Sequence, residues 1–274
     1  MDKKLSVIIP CKNQEEKLSE TFKDIKEHSP KINYEVDVIF VNDRSTDKSP
    51  EVADQLGGEL SKYKRIDTPK DLKGIGKGRA VKMGMMVADS DLELFMDADN
   101  STSFKEIDKL LPYTEKYDII IGTRYSSKVV EGQNNWFKAV LGGIKDVLDV
   151  IIFGHAKRYT ATVKQGRLRQ LVSRGGNLVF TVLLGQSFTD QRCGFKLFTK
   201  DASDIIFPRI QLDGFGFDTE LFVIAKKFKL KVVEVPIDWF DDAAESNIGF
   251  KDALNTFKEI FQIYGHMIRG RYKK

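Results

Sequence analysis

The feature that most constrains this chain is a regular alternation of short apolar runs with amphipathic segments. Four runs of five to eight residues are rich in Val, Ile, Leu and Phe, which predicts buried β-strands; they are Leu5–Pro10, Tyr34–Val41, Leu92–Met96 and Tyr117–Gly122. Three segments place apolar residues at helical spacing; they are Glu15–His28, Arg79–Ala88 and Phe104–Leu111. This alternation predicts an α/β protein with an open sheet flanked by helices, whose ligands bind beyond the carboxyl ends of the strands.

The pattern changes after Arg124, where longer helical segments begin. We expect helices and one further strand in this part of the chain; they are Trp136–Phe153, Gly166–Gly185, Asp218–Phe228, Lys231–Val235 (the strand) and Phe250–Arg269. No linker of low complexity and no internal repeat interrupts the sequence. We therefore expect a single domain over residues 1–274, with an inserted helical segment at 126–165 and an amphipathic helix with a basic tail at 250–274.

Composition excludes several classes of protein. The 274 residues are 41% hydrophobic and 31% charged, which is typical of a globular chain and not of a disordered one. The sequence lacks the ~20 consecutive apolar residues of a spanning helix and the apolar core of a secretory signal, so we expect a cytosolic protein. Its two cysteines, Cys11 and Cys193, are too few for a disulfide framework. A net charge of +4 does not indicate nucleic acid but suits an anionic membrane surface.

Two carboxylates separated by one residue, Asp97 and Asp99, follow the third predicted strand. Such a pair can bind one hard cation, Mg²⁺ or Mn²⁺, and a cation there can neutralise a diphosphate leaving group. The alternative is an ordinary solvated turn, because short acidic triplets are common in turns.

Two further loops carry groups suited to nucleotides. Asp43 follows the second strand and can accept a hydrogen bond from a base or ribose, although the alternative is a turn that caps the next helix. The glycine-rich loop Gly74–Gly78 can bring backbone N–H groups and Lys77 to a phosphate. It matches neither the Walker A nor the Rossmann spacing, so a flexible turn is the alternative.

Taken together, the order and spacing of these motifs resemble the family 2 glycosyltransferases of the GT-A fold, over nearly the whole chain. The segments that carry the resemblance are Ser6–Pro10, Val41–Asp47, Gly76–Gly78, Phe95–Asp99, Ile121–Tyr125, Ser173–Asn177, Asp190–Phe198, Gly216–Leu221 and Val235–Ile237. Within the family the chain looks like the polyprenyl-phosphate sugar synthases. Two segments, Cys193–Phe198 and Asp97–Phe104, look closer to the dolichyl-phosphate β-glucosyltransferases than to the mannose synthases, which favours UDP-glucose as donor.

The resemblance implies a role for each matching residue. Residues expected around the nucleotide sugar are Pro10, Asn13, Glu15, Asp43, Lys77 and Asp97, with Asp43 on the base. The metal ion, Mg²⁺ or Mn²⁺, is expected on Asp97 and Asp99. The acceptor phosphate is expected on Arg124, Ser173 and Arg174, because the planar guanidinium suits a phosphate monoester. The catalytic set is Asp99, Asp218, Arg124 and Arg174, in which Asp218 is either a general base or a positioning group.

The implied reaction is inverting transfer of a hexose, glucose in the first instance, from a nucleotide sugar to dolichyl or undecaprenyl phosphate. The alternatives are a saccharide or protein-linked hydroxyl acceptor with Asp218 as base, a GDP-mannose-dependent synthase, and a non-catalytic nucleotide-sugar binder. Two departures from the family pattern keep them open. Gln14 replaces the usual glutamate, and Ala243–Ile248 lacks the usual lysine.

A lipid-linked acceptor implies membrane contact at the cytosolic face, directly or through a membrane partner protein. The apolar stripe of Trp136–Phe153 can lie among lipid headgroups, and the basic residues expected beside it are Lys138, Lys145, Lys157 and Arg158. Alternatively the stripe packs on the protein core or on another subunit, as most amphipathic helices do. The same two interpretations apply to Phe250–Arg269 and its basic tail.

Overall fold

A computed structural model describes residues 3–69, 76–124, 126–131, 136–153, 175, 178, 181–182, 188, 190–240 and 250–273. The strands among them are β1 (Lys4–Cys11), β2 (Glu35–Asn42), β3 (Tyr63–Asp67), β4 (Leu92–Met96), β5 (Ile119–Thr123), β6 (Val130–Glu131), β7 (Phe195–Thr199) and β8 (Val232–Pro236). They form one eight-stranded sheet in the order β3-β2-β1-β4-β7-β5-β8-β6. The predicted mixed α/β sheet is therefore confirmed.

Helices connect and cover these strands. In the described part of the chain they are α1 (Leu18–His28), α2 (Ser49–Gly57), α3 (Lys77–Val87), α4 (Ile107–Leu110), α5 (Trp136–Phe153), α6 (Lys200–Ile206), α7 (Phe217–Lys227) and α8 (Phe250–Ile268). Helix α1 shows why they form: Leu18, Phe22 and Ile25 recur at helical spacing and are buried, while the other face is polar.

The core lies on both sides of the central strands. Every residue of β4 and β5 is buried, and β1 is buried from Leu5 to Cys11. Strands covered on both faces read as continuous apolar runs, which is why these three could be found in the sequence. The adjacent strand β7 places Phe195, Leu197 and Phe198 in the same core.

Topology brings several loops to one edge of the sheet. Strand β1 pairs in parallel with both β2 and β4, so the carboxyl ends of all three strands lie at one edge, here called the carboxyl edge. Strand β7 is antiparallel to both β4 and β5, so β5 runs parallel to β4 and the amino end of β7 lies at the same edge. The order of connections reverses at β1, which is where open α/β sheets bind ligands.

The predicted elements that lie within the described residues are observed, with bounds that differ by at most three residues, except for one helix. Strands β3, β6 and β7 and helices α2 and α6 were not predicted as elements. The predicted helix Phe104–Leu111 is broken into two short 3₁₀ turns around α4, and Pro112 lies in the second of them. The predicted helix Gly166–Gly185 lies almost wholly outside the described residues.

Candidate active site

The loops after β1 and β2, residues 12–17 and 43–48, are joined by hydrogen bonds and are here called the paired loops. Asn13 adopts a φ of 54°, and its Oδ1 accepts a hydrogen bond of 2.8 Å from the Thr46 amide. Its own amide donates to Ser45 Oγ at 3.1 Å. Glu15 Oε2 accepts from the Lys48 amide at 2.7 Å. Asn13 and Glu15, both expected at the nucleotide, thus hold the two loops together.

Asp43 and Pro10 lie where these loops leave the sheet. Pro10 pairs in register with Val41 and is buried. The Asp43 amide donates to the Cys11 carbonyl at 2.7 Å, and its carboxylate accepts from the Thr68 hydroxyl at 3.3 Å. The side chain is nearly buried, with 4% of its surface exposed. Asp43 therefore lies at the carboxyl edge, directly after β2.

Lys77 and Asp97 form an ion pair at the centre of the carboxyl edge. Lys77 is the first residue of α3 and Asp97 follows β4 directly, and their Nζ and Oδ1 atoms are 2.6 Å apart. The ammonium group also lies 5.2 Å from the centre of the Phe95 ring. Burial lowers the pKa of Lys77, but the carboxylates of Asp97, Asp218 and Asp99 outweigh it and raise the pKa above its usual value. The lysine is therefore a fixed cation.

Asp99 lies close enough to Asp97 for their charges to interact. Burial, and then the negative charge of Asp97, raise the pKa of Asp99. Its Oδ1 accepts a hydrogen bond of 3.0 Å from the Ser101 amide, which orients the carboxylate. Two oriented carboxylates that repel each other are suited to a divalent cation, because the cation relieves the repulsion.

Glycine at position 194 leaves room for the Asp97 carboxylate. The Asp97 amide donates to the Gly194 carbonyl at 3.0 Å, so the two backbones are adjacent. A Cβ atom on Gly194 would lie 2.0 Å from Asp97 Oδ2. Any other residue at position 194 would displace this carboxylate. The glycine just before β7 is therefore needed for the observed position of Asp97.

Asp218 is paired with a buried lysine. Lys196 Nζ lies 2.6 Å from Asp218 Oδ1 and also donates to the Cys193 carbonyl. The lysine is fully buried and Asp218 is 3% exposed. Lys196 also lies 5.4 Å from the Phe95 ring centre, so two lysines approach the same ring. Our sequence analysis did not identify Lys196, although a lysine within an otherwise apolar strand was the available signal.

Arg124 is held by a carboxylate that the sequence analysis did not single out. Its Nε and one terminal nitrogen contact the two oxygens of Asp190 at 2.7 Å each, and its guanidinium lies 4.9 Å from the Trp239 ring centre. Asp190 is 3% exposed, and its amide donates to Glu234 Oε1 at 2.8 Å. The pairs Lys77–Asp97, Lys196–Asp218 and Arg124–Asp190 are called the ion-pair cluster below.

Several predicted residues lie outside the described part of the chain. They are Ser173 and Arg174, expected at the acceptor phosphate, the loop residues Gly74 and Ile75, and the segment Ala243–Ile248. Cys193 is described: burial raises the pKa of its thiol to about 12, as suits a packing residue. Among the described residues no group of three or more His, Cys, Asp or Glu side chains could hold a metal.

Most of the chain matches a known protein family. The profile of the family described as Glycosyl transferase family 2 matches residues 6–203. The dolichyl-phosphate beta-glucosyltransferase of Dictyostelium discoideum is 25% identical over 277 residues, which covers 98% of this chain and 76% of that protein. The enzyme of the same name from Saccharomyces cerevisiae is 25% identical over 276 residues, with the same two coverages of 98% and 76%.

A solved structure gives the same fold. Glucosyl-3-phosphoglycerate synthase from Mycobacterium tuberculosis, in complex with Mn²⁺, UDP-glucose and phosphoglyceric acid, superposes with a TM-score of 0.61. The alignment has 14% identity and covers 96% of this chain and 80% of that one. The fold expected from the sequence is therefore confirmed.

Proposed function

This chain belongs to glycosyl transferase family 2, and we propose that it transfers glucose from UDP-glucose to dolichyl or undecaprenyl phosphate with inversion at the anomeric carbon. The names of the two relatives support glucose as the sugar and dolichyl phosphate as the acceptor. Because the sugar in UDP-glucose is α-linked, a β-linked product requires inversion. The observation that carries the proposal is the grouping at the carboxyl edge of Lys77, Asp97 and Asp99 with Arg124.

On the donor side, Asp97 and Asp99 are the proposed ligands of Mg²⁺ or Mn²⁺. Their charge, orientation and mutual repulsion fit a hard divalent cation, and Mg²⁺ commonly takes only one or two protein carboxylates together with substrate phosphates and water. When bound, the ion supplies charge stabilisation to the leaving diphosphate. Lys77, 2.6 Å from Asp97, is placed to add a second positive charge to the same phosphates.

The paired loops are the proposed site of the uridine. Asp43, nearly buried between β1 and β2, accepts from the base, and Pro10 forms part of the pocket floor. Asn13 and Glu15 act by fixing the two loops relative to each other, as their hydrogen bonds indicate. A site held in place before the nucleotide arrives binds it with less loss of conformational entropy.

The chemical step needs no strong general base. An oxygen of the acceptor phosphate attacks the anomeric carbon, the bond from that carbon to the diphosphate oxygen breaks, and the electron pair leaves with UDP. A phosphate monoester has its second pKa near ~6, so the nucleophile is already ionised at neutral pH. The Asp218 carboxylate is paired with Lys196 at 2.6 Å, which suits a positioning role better than proton abstraction.

On the acceptor side we propose that Arg124 binds the phosphate, with Ser173 and Arg174 contributing as the family resemblance implies. Asp190 fixes the orientation of Arg124 through two contacts of 2.7 Å. A guanidinium held in one orientation recognises the tetrahedral phosphate with little further ordering.

A polyprenyl acceptor requires contact with a bilayer, and we propose that α5 and α8 provide it. Helix α5 exposes five apolar side chains on one stripe, which are Leu141, Ile144, Leu148, Ile151 and Ile152. Helix α8 exposes Phe261, Tyr264, Met267 and Ile268. Exposed Arg269, Arg271 and Lys273 follow it and suit anionic headgroups. None of the helices within the described ranges is long and apolar enough to cross a membrane, so the proposed contact is peripheral.

Radiolabelled sugar transfer tests the reaction. UDP-glucose and GDP-mannose are each incubated with the full chain, Mg²⁺ or Mn²⁺, and a short-chain polyprenyl phosphate. The matched control acceptor is the corresponding polyprenol, which differs only in the phosphate. We expect label in the lipid phase from UDP-glucose with the phosphate acceptor, at least about tenfold above GDP-mannose and above the polyprenol.

Other outcomes contradict specific parts of the proposal. Preference for GDP-mannose would overturn the donor assignment. Efficient glucosylation of the polyprenol, or of a saccharide alone, would show that Asp218 or another group acts as a base. No transfer from any donor, with UDP-glucose still bound by calorimetry, would indicate a binding protein.

A further inference from the structure

The segment that follows α8 turns back and buries one residue, Tyr272, against α7, while the basic residues on either side of it stay exposed. Gly270 adopts a φ of +64°, which ends the helix and turns the chain. Two residues later Tyr272 is fully buried, with 0% of its surface exposed, and its hydroxyl donates to Glu220 on α7. Arg209 Nε also donates to the Lys273 carbonyl at 3.0 Å. The basic tail, for which the sequence left lipid contact or packing on the protein as alternatives, is anchored to the protein through one tyrosine.

The partner of Tyr272 is a carboxylate with no exposure to solvent. One oxygen of Glu220 accepts from Tyr272, and the other accepts from the amides of Gln211 at 2.9 Å and Leu212 at 2.8 Å. Burial, and then the hydrogen bond to Glu220, raise the pKa of Tyr272, so the hydroxyl keeps its proton and stays a donor. His266 Nδ1 also lies 3.5 Å from the oxygen that accepts from Tyr272. A buried carboxylate needs several donors to offset its desolvation, and the Tyr272 hydroxyl is one of those that surround Glu220.

Glu220 thereby holds a short segment, residues 210–213, here called the strap. Helix α3 holds the strap from its other side. Lys82 Nζ donates to the Ile210 carbonyl at 2.7 Å. Arg79 donates to Asp213 twice, from its guanidinium to the carboxylate at 2.7 Å and from its amide to the carbonyl at 3.1 Å. Each residue of the strap is therefore tied to α3 or α7.

These two helices carry opposite charges of the proposed active site. Lys77 is the first residue of α3, and Asp218 lies two residues before Glu220 on α7. We propose that Tyr272 is a positioning residue: by holding Glu220 against the strap, it sets the distance between Lys77 and Asp218. This inference rests on the proposed function, because it gives Lys77 and Asp218 their roles in sugar transfer.

Helix α8 packs against the turn that begins α7, so a shift of Tyr272 can reach Asp218 through this contact as well. A Cβ atom added to Gly216 would lie 2.8 Å from Glu259 Cδ, so α8 is packed on the turn that begins α7. A displacement of about 1 Å at reacting groups can cost about 10²-fold in rate. Loosening Tyr272 is therefore expected to lower turnover without removing any group that contacts substrate.

Amide hydrogen exchange tests the anchor independently of activity. Tyr272→Phe in the full chain removes one hydroxyl and keeps the ring. We expect the amides of Gln211, Leu212 and Arg79 to exchange about fivefold to tenfold faster than in the wild type. The matched control is Tyr63→Phe, which removes a tyrosine–carboxylate hydrogen bond of 2.9 Å to Asp54 elsewhere in the fold and should leave those amides unchanged.

Kinetics test the positioning role. We expect Tyr272→Phe to lower kcat about tenfold while KM for UDP-glucose and for the polyprenyl phosphate changes less than about twofold. Glu220→Gln should have a similar effect, and the double variant should be little worse than either single one, because the tyrosine acts through Glu220. Additive losses in the double variant would contradict that coupling.

The outcomes separate this inference from the proposed function. Unchanged exchange at Gln211 and Leu212 would overturn the anchor, and faster exchange with unchanged kcat would overturn the positioning role. If the wild type transfers no sugar, the proposed function fails. The exchange of the Arg79 amide then decides whether Tyr272 fixes the strap against α3.

Discussion

The two halves of the carboxyl edge are built from different interactions. In the paired loops, side chains such as Asn13 and Glu15 bind backbone amides of the opposite loop at 2.7 to 2.8 Å. In the ion-pair cluster, side chains bind side chains of opposite charge, as in Lys77–Asp97 at 2.6 Å. Backbone partners cannot move away when a ligand arrives, whereas an ion pair can exchange one partner for a phosphate or a metal. The first half is suited to holding a constant nucleotide, and the second to charges that change during a reaction.

The largest effect is expected at the acidic pair. Asp99→Ala should lower kcat about 10³-fold, which corresponds to about 4 kcal/mol, because the variant loses a proposed metal ligand. Its thermal midpoint should not fall, since the half-buried Asp99 carboxylate repels that of Asp97. Asp89→Ala, at an exposed residue before β4, is the control and should keep full turnover. Near-normal turnover of Asp99→Ala would contradict the proposal that Asp99 is a metal ligand.

A stability effect is expected next in the ion-pair cluster. Lys196→Met should lower the free energy of unfolding by about 3 kcal/mol in urea titrations, because it leaves Asp218 buried without its cation. Lys26→Met breaks a surface pair of 2.7 Å with Glu59 and should cost less than about 1 kcal/mol. Equal losses of unfolding free energy in both variants would show that the buried pair contributes no more to stability than a surface ion pair.

A smaller effect is expected at Arg124, where a substitution should affect the acceptor phosphate and not the nucleotide sugar. Arg124→Lys keeps the charge but cannot make both contacts to Asp190, so kcat/KM for polyprenyl phosphate should fall about 30-fold, or about 2 kcal/mol. The KM for UDP-glucose should stay within about twofold. If both substrates are affected equally, Arg124 does not act on the acceptor side.

The smallest effect is expected in the paired loops. Asn13→Ala should lower the free energy of unfolding by about 1 kcal/mol, since it removes the acceptor for the Thr46 amide, and should raise the KM for UDP-glucose about threefold. Asn13→Gly also lacks the side-chain amide, but glycine tolerates a φ of 54°. The difference in unfolding free energy between the two variants in urea titrations therefore measures the cost of holding alanine at this φ. If Asn13→Ala lowered the free energy of unfolding as much as Lys196→Met, the paired loops and the ion-pair cluster would not differ in their contribution to stability.

The sequence predicted what depends on local pattern. Strand Leu92–Met96 and helix Trp136–Phe153 were found with their observed bounds, because apolar periodicity defines both. Strand β3 was missed because Tyr63–Asp67 lies at the edge of the sheet, is only partly buried, and carries charged residues that mask its period. Its order in the sheet follows from topology, which no local pattern encodes.

The site shows the same division. Asp97 and Asp99 were predicted because both follow one recognisable strand. The partners of the other two predicted charges were not identified: Lys196 pairs with Asp218 and Asp190 pairs with Arg124. Both partners lie on or just before β7, which runs antiparallel between β4 and β5. These partners are 22 and 66 positions away along the chain, so the three-dimensional arrangement is needed before the pairs can be named.

The position of β7 also sets an order of events during synthesis. The ribosome completes β4 at Met96 and β5 at Thr123, but the strand that joins them ends only at Thr199, 76 residues after β5. At ~5–20 residues per second, the apolar edge of β5 waits roughly 4 to 15 seconds for β7, and the edge of β4 waits longer. Unpaired apolar edges are sites of aggregation, so this interval is when the nascent chain most needs a chaperone. When β7 inserts, β4 and β5 are joined and the acidic pair meets Gly194 in the same late step, and β8 then completes the sheet.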